Sequence, residues 1–238
     1  MATTCLALDI GNSRIKAALI HEGHPIQVFT PRTRHQLRRW RQQYPHLPLY
    51  AIDTRNHPRW KALLSELHAC SLEITAGVPF PTHYAATLGP DRCAALSALF
   101  YTAQKPLLYL SFGTALTGDI LDAQGTHLGG FISPGLHLRL KALHQHTGRL
   151  PRLSPPLSPP PLWGTSTPEA IWIGTFRALI SEIQSYLSTL QTTLGPHHLY
   201  ISGGEASLIA PFLPQPVTFV PDLTLIGVWY WQRFLFGD

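Results

Sequence analysis

Acidic side chains, cysteine and methionine are scarce in this chain of 238 residues, which has thirteen Asp and Glu against eighteen Lys and Arg, three Cys and one Met. Cys5, Cys70 and Cys93 show neither CxxC nor zinc-type spacing, and an odd number cannot pair fully within one chain, which argues against a disulfide framework or a cysteine-based zinc site. No stretch reaches the roughly 20 apolar residues of a membrane helix, and residues 1–10 lack the basic start and apolar run of a secretory signal. A soluble, cytoplasmic protein is therefore expected. Familiar chemistry is also missing: there is no GxxxxGK[ST] loop, no GxGxxG after the first strand, no HExxH and no EF-hand loop. The run Gly164-Thr-Ser-Thr-Pro168 does not match the GxSxG elbow of serine hydrolases. Among thirteen histidines, the pairs His144/His146 and His197/His198 have no neighbouring carboxylate or cysteine to complete a metal site.

What is present suffices for a buried core, with 45% hydrophobic and 13% charged residues. The net charge of +5 suits an anionic ligand without naming one. Residues 4–10 and 13–20 read as strands around a polar Gly-Asn turn. A helical pattern over 30–44 carries Arg32, Arg34, Arg38, Arg39 and Arg41. With no accompanying aromatic stacking pattern it reads as a solvated face, and nucleic acid is not an expected partner. Strands are predicted at 48–53 and 73–78, and helices at 57–70 and 93–104, the latter introduced by Gly89 and Pro90. Residues 106–112, 116–121 and 126–132 then repeat the motif of strand, Gly-Thr turn and strand. A helix is predicted at 134–148. Six prolines within 151–161 exclude a helix or a central strand there. The longest helix is predicted over 167–190, capped at Ser166 or Thr167 with Pro168 in its first turn. A strand at 198–202 ends at Gly203 and Gly204, a short element covers 206–212, and a closing helix covers 223–236. Both halves thus open with a hairpin whose turn offers N–H groups and hydroxyls to an anion.

Four segments make the reading specific: Asp9-Ile-Gly-Asn-Ser-Arg-Ile-Lys16; Gly89-Pro-Asp-Arg92; Phe112-Gly-Thr-Ala-Leu-Thr117 with Gly129-Gly-Phe-Ile-Ser-Pro-Gly135; and Ile201-Ser-Gly-Gly204. In this order and spacing they resemble the type III pantothenate kinases over nearly the whole chain. The resemblance implies an α/β fold of the actin-like, sugar-kinase-like ATPase superfamily. Two ribonuclease-H-like domains, here 1–104 and 105–238, would have mixed sheets flanked by helices and hold a nucleotide in the cleft between them. It further implies a homodimer that phosphorylates pantothenate with ATP to 4′-phosphopantothenate, the first step of coenzyme A synthesis. A noncatalytic relative acting as a transcriptional accessory factor, or a kinase of another small alcohol, are the alternatives. A continuous exposed arginine patch would favour the regulator.

By the same resemblance, Asp9, Ile10, Gly11, Asn12, Ser13, Arg14, Ile15, Lys16 and Thr114 would contact ATP, with Asp9 holding hydrated magnesium. Tyr84, Gly89, Pro90, Asp91, Arg92 and Thr167 would line the pantothenate site, and Asp91 would be the base. Taken alone, the first segment is also compatible with an ordinary hairpin turn, and Asp91 and Thr167 with helix caps. One position departs from the family: Ser111 stands where relatives carry an aspartate linked to a potassium or ammonium ion. A hydroxyl offers an oxygen without formal charge, so weaker monovalent-cation binding, or none, is expected, with Asp119 or Asp122 as substitute ligands.

Overall fold

The computed structural model describes residues 3–156 and 158–237. In chain order the elements are β1 (Thr4–Ile10), β2 (Ile15–His21), β3 (His24–Phe29), α1 (Arg34–Gln42), β4 (Leu49–Asp53), α2 (Pro58–Glu66), β5 (Ala69–Ser71) and α3 (Pro90–Thr102). They continue with β6 (Leu107–Phe112), β7 (Ala115–Leu121), β8 (His127–Pro134), α4 (Leu136–Gln145), α5 (Thr167–Leu194), β9 (His198–Gly203), α6 (Ala206–Ile209), β10 (Val217–Phe219) and α7 (Leu223–Phe236). Two mixed five-stranded sheets result, ordered β3-β2-β1-β4-β5 and β8-β7-β6-β9-β10. Element for element the orders are the same. Each begins with an antiparallel hairpin, β1 with β2 and β6 with β7, and then adds parallel strands, β4 beside β1 and β9 beside β6.

Packing divides the chain into two compact units. The first comprises the residues up to Ala103, Gly125–His127 and those from Asp222 onward, and the second comprises Gln104–Gln124 and Leu128–Pro221. The division of 1–104 from 105–238 expected from sequence thus differs at its end, because α7 groups with the first unit. The reason is steric and apolar. Helix α3 presents small residues, Ala94, Ala95 and Ala98, and Gly227 of α7 sits so tightly on Ala94 that a Cβ at Gly227 would overlap the Ala94 carbonyl. Trp231 of α7 then donates its indole N–H to the Gly77 carbonyl at 2.7 Å.

In the first unit β1 is central and buried on both faces, which explains its nearly unbroken apolar run. Leu6, Leu8 and Ile10 pack with Leu37 and Trp40 of α1 and with Leu63 and Leu64 of α2. Thr33 caps α1 by accepting from Gln36 N at 3.2 Å. In the second unit α5 buries Trp172, Phe176, Leu179, Ile183 and Leu187, at helical spacing, against Leu108, Leu110 and Ile201 of the sheet. Each fully buried side chain of this kind contributes about 1.5–3 kcal/mol of transfer free energy. Ser166 caps α5, accepting from Glu169 N at 3.5 Å, while Glu169 Oε2 accepts from Thr165 N at 2.8 Å.

The strand predicted at 73–78 is instead a loop with one 3-10 turn, Ile74–Ala76, closed by Gly77 at φ 104°. The edge strand forms earlier, at β5, because α2 stops at Glu66 and His68 turns the chain at φ 53°. The edge strands β3 and β10 carry little apolar alternation and were not expected from sequence.

Candidate active site

The hairpin of the first unit is held from beneath. Ile10 and Ile15 pair, so the turn spans Gly11 to Arg14, with Asn12, Ser13 and Arg14 exposed. Thr54, just beyond β4, donates its hydroxyl to the Ile10 carbonyl at 3.0 Å. Arg55 donates Nε to the Gly11 carbonyl at 2.8 Å and lays its guanidinium over Trp60 at 5.0 Å. The parallel pairing of β1 with β4 places both residues there, since Ile10 is in register with Asp53. Neither was expected as a support, and the only sequence signal is their position just past an apolar strand.

Asp9 and Lys16 face each other across β1 and β2. Asp9 Oδ1 is buried and has no hydrogen-bond partner. Burial first, then the charge of Asp91, push the Asp9 carboxyl up to about 7, with Lys16 opposing and Asp222 adding to the rise. Lys16 Nζ pairs with Asp222 Oδ1 at 2.7 Å. Asp222 lies in the loop before α7 in the left-handed region, φ 53°. Nothing in the sequence marked it beyond a helix-cap position, and it reaches this place only because α7 joins the first unit.

Asp91 occupies the first turn of α3, where the helix N-terminus favours a carboxylate. Gly89 leaves that side chain room, since a Cβ there would lie 2.7 Å from Asp91 Oδ1 and the carboxylate would have to shift. Arg92 is buried, stacks on Tyr84 with its guanidinium 4.8 Å from the ring centre, and donates Nη1 to the Tyr84 hydroxyl at 3.3 Å. Tyr84 in turn stacks on the buried ring of His127 at 5.7 Å, and His127 Nδ1 is hydrogen-bonded to Thr82 Oγ1 at 3.0 Å. The expected substrate residues Tyr84, Gly89, Pro90, Asp91 and Arg92 are thus gathered. His127, which sequence reasoning did not single out, is their backing.

The second unit gathers its own segments. Thr114 is exposed at the β6–β7 turn, and Gly135 donates its N–H to the Thr114 carbonyl at 3.1 Å. A Cβ at Gly135 would fall 2.7 Å from that same carbonyl oxygen. Gly203, at φ 103°, is pressed on Phe112 with no room for a side chain. The Glu205 carboxylate caps α4 by accepting from Leu136 and His137 N–H, and burial raises its pKa. Ser111 is half-buried in a row of hydroxyls, with Thr117 and Ser202 in register on the two flanking strands. Ser202 Oγ lies 2.6 Å from the Tyr109 hydroxyl. Asp119 is buried two residues from Thr117 and so on the same face of β7. Asp122 is in the following turn, accepting from Gln124 N at 2.9 Å. Thr167, at the first position of α5, is exposed and is not the cap.

The donor set suits magnesium at Asp9, because that ion keeps several waters and needs only one or two carboxylates, and a buried acceptor oxygen without a partner is available. Among the described residues no group of three or more His, Cys, Asp or Glu gathers for a metal. The arginine cluster of α1 is partly spent on internal contacts: Arg38 pairs with Glu66 at 2.6 and 2.8 Å, Arg41 binds the Leu67 and Tyr44 carbonyls, and Arg34 lies over Trp60. No helix is long and apolar enough among the described residues to cross a membrane.

Two sheets of one topology, each led by a hairpin with a Gly-polar turn, are the architecture of the actin-like, sugar-kinase-like ATPases. Within that class the sequence profile of the type III pantothenate kinases matches residues 5–189, and the chain belongs to this family. A protein of Porphyromonas gingivalis named type III pantothenate kinase is 38% identical over 174 residues, 71% of each chain. Another of that name, from Cytophaga hutchinsonii, is 29% identical over 228 residues, 94% of this chain and 96% of the relative. A crystal structure of a Campylobacter jejuni protein assigned to the Baf family of transcriptional activators is similar in fold, with TM-score 0.64 and 24% identity over 94% of this chain and 95% of that one.

Proposed function

We propose that the protein transfers the γ-phosphate of ATP to the primary hydroxyl of pantothenate, giving 4′-phosphopantothenate at the entrance to coenzyme A synthesis. The observation that carries the reading is the convergence, in a member of this family, of Asp91 at the start of α3 with Asp9 of the hairpin, close enough for each to feel the other's charge. Asp91 is the base. It takes the proton of the attacking hydroxyl as the new O–P bond forms and the bond from the γ-phosphorus to the bridging oxygen breaks, leaving ADP with the electron pair. In a loose transition state that proton leaves late, so the position of Asp91 on α3 matters more than its basicity.

Hairpin residues from Gly11 to Lys16, and Thr114, are the candidate phosphate ligands, and magnesium held through water at Asp9 would neutralise charge on the phosphate oxygens. Tyr84, Gly89, Pro90 and Arg92 form the acceptor side, Arg92 being fixed by its stack on Tyr84. The protein is proposed to work in the cytoplasm as a homodimer, with Thr167 a further substrate contact. A groove of about 680 Å³ between α4 and α5, lined by Leu138, Leu143, Ala170, Ile171 and Gly174, supports an interface with a second copy. Ser111 gives potassium or ammonium only a neutral oxygen, so dependence on a monovalent ion is proposed to be weak.

Phosphorylation of pantothenate by purified protein with ATP and magnesium, with and without potassium, tests the reading. Turnover is expected in the wild type and a fall of about 10²–10⁴-fold in Asp91→Asn, with ATP affinity within a few-fold. An unimpaired Asp91→Asn removes the base from this role. Absence of turnover in every salt while ATP still binds transfers the site to another small alcohol or to a noncatalytic function.

A further inference from the structure

At the open end of β1 and β2 the Asp9 carboxyl feels the charges of one ammonium, Lys16, and two further carboxylates, Asp91 and Asp222. Lys16 stands opposite Asp9 in the strand register, near enough to act on it through space, and a four-carbon stem makes direct pairing of the two an obvious local arrangement. The structure shows a different one. Lys16 donates to Asp222 Oδ1 at 2.7 Å, and Asp9 Oδ1 is left buried without a hydrogen-bond partner. Asp222 comes from 206 positions further along the chain. Its place is fixed by its left-handed backbone and by the seating of Gly227 on Ala94, which locks α7 to α3, the helix that carries Asp91.

We propose that Asp222 is a positioning residue that draws the Lys16 ammonium away from Asp9 and so keeps the buried Asp9 oxygen open to a divalent cation. The inference rests on the kinase reading above and assigns a residue to the preparation of its metal carboxylate. Both partners of the Lys16–Asp222 pair keep part of their side-chain surface in solvent, 33% and 23%. Exchange of Asp222 for an arriving phosphate therefore costs Lys16 little, because a solvated ion pair is weak and an ammonium has three rotatable donors. Without Asp222 the same ammonium is left facing Asp9 across the two strands and competes there with the metal.

The test is binding of Mn²⁺ alone, followed by electron paramagnetic resonance of the free ion at pH 8, with neither nucleotide nor acceptor present. Wild type, Asp222→Asn, Lys16→Met and the double variant form a cycle, and thermal melting verifies folding. Asparagine tolerates the left-handed backbone, so Asp222→Asn keeps the turn. Asp222→Asn is expected to weaken Mn²⁺ about tenfold, Lys16→Met alone to change it by no more than about threefold, and Lys16→Met in the Asp222→Asn background to restore it to within about threefold of wild type. The inference is overturned by a wild type that binds no Mn²⁺, by an Asp222→Asn variant within about twofold of wild type, or by a double variant as weak as Asp222→Asn, since a merely structural loss would not be rescued at Lys16. Because no turnover is measured, the cycle can succeed with pantothenate refused as a substrate, or fail with pantothenate phosphorylated, and the two readings stand or fall separately.

Discussion

The two leading hairpins occupy the same place in the same topology and differ in the charge they carry. Asp9 and Ser111 are each the last but one residue of the first strand, each is followed by an apolar residue and a glycine, and Asn12 and Thr114 come next in the turns. Opposite Asp9 stands Lys16, and opposite Ser111 stands Thr117. The first turn is thus ionic, with a carboxylate pushed out of its ordinary range by burial, and the second presents hydroxyls and backbone N–H groups. One backbone geometry accommodates both, because parallel strands on the far side, β4 and β9, support each turn while the residue at one position sets the electrostatics.

Removing the charge that distinguishes the first hairpin should have the largest effect. A carboxyl held at about 7 in the folded state and near 3.8 when unfolded keeps its proton on the folded side between those values. The folded state then binds more protons at this group, so the stability that Asp9 contributes is fully present below about 3.8 and is lost as pH rises to about 7. Asp9→Asn, with no group to ionise, is expected to be more stable than wild type above pH 7 by on the order of a few kcal/mol in the metal-free protein, and equal to it near pH 4. Denaturant unfolding at a series of pH values measures the difference, and identical curves for the two proteins would show that Asp9 is not desolvated.

A change in the second hairpin's support comes next. Gly203→Ala forces a side chain into the left-handed region and onto Phe112, with an expected loss of about 2–3 kcal/mol read as a lowered melting temperature and a weaker grip on ATP. An unaltered melting curve would mean that β9 can shift away from β6. The smallest effect is the conversion of one hairpin toward the other. Ser111→Asp gives the hydroxyl row a formal charge and is expected to strengthen potassium stimulation of turnover by about three- to tenfold. An unchanged potassium titration would remove position 111 from the cation site.

The sequence was legible where local pattern and final environment agree. Apolar runs ending in Gly and a small polar residue mark β1 and β6 correctly, Ser166 with Pro168 marks the start of α5, and the four motif segments lie at the ends of the strands and helices that the fold uses. Legibility failed where long-range packing decides. Asp222 looks like any residue before a helix, and becomes a partner of Lys16 only through the contact of Gly227 with Ala94. His127 reads as the start of a strand, yet it is buried beneath Tyr84 because its backbone pairs with Pro81 and His83. Arg55 and Thr54 follow an ordinary strand and take their meaning from the register of β4 against β1. Residues 73–78 show the reverse error, since β-branched content there is overridden by Gly77 at positive φ.

The return of α7 to the first unit sets an order on biogenesis. On a ribosome the second unit is complete once Pro221 has emerged, and it can fold as an almost continuous insert. The first unit begins with β1 but lacks the helix that covers α3 until the segment from Asp222 onward is made, so the small-residue face of α3 stays uncovered while the second unit is synthesised. The unit translated first is therefore the one finished last, and the Lys16–Asp222 bond can form only after its closing helix has docked.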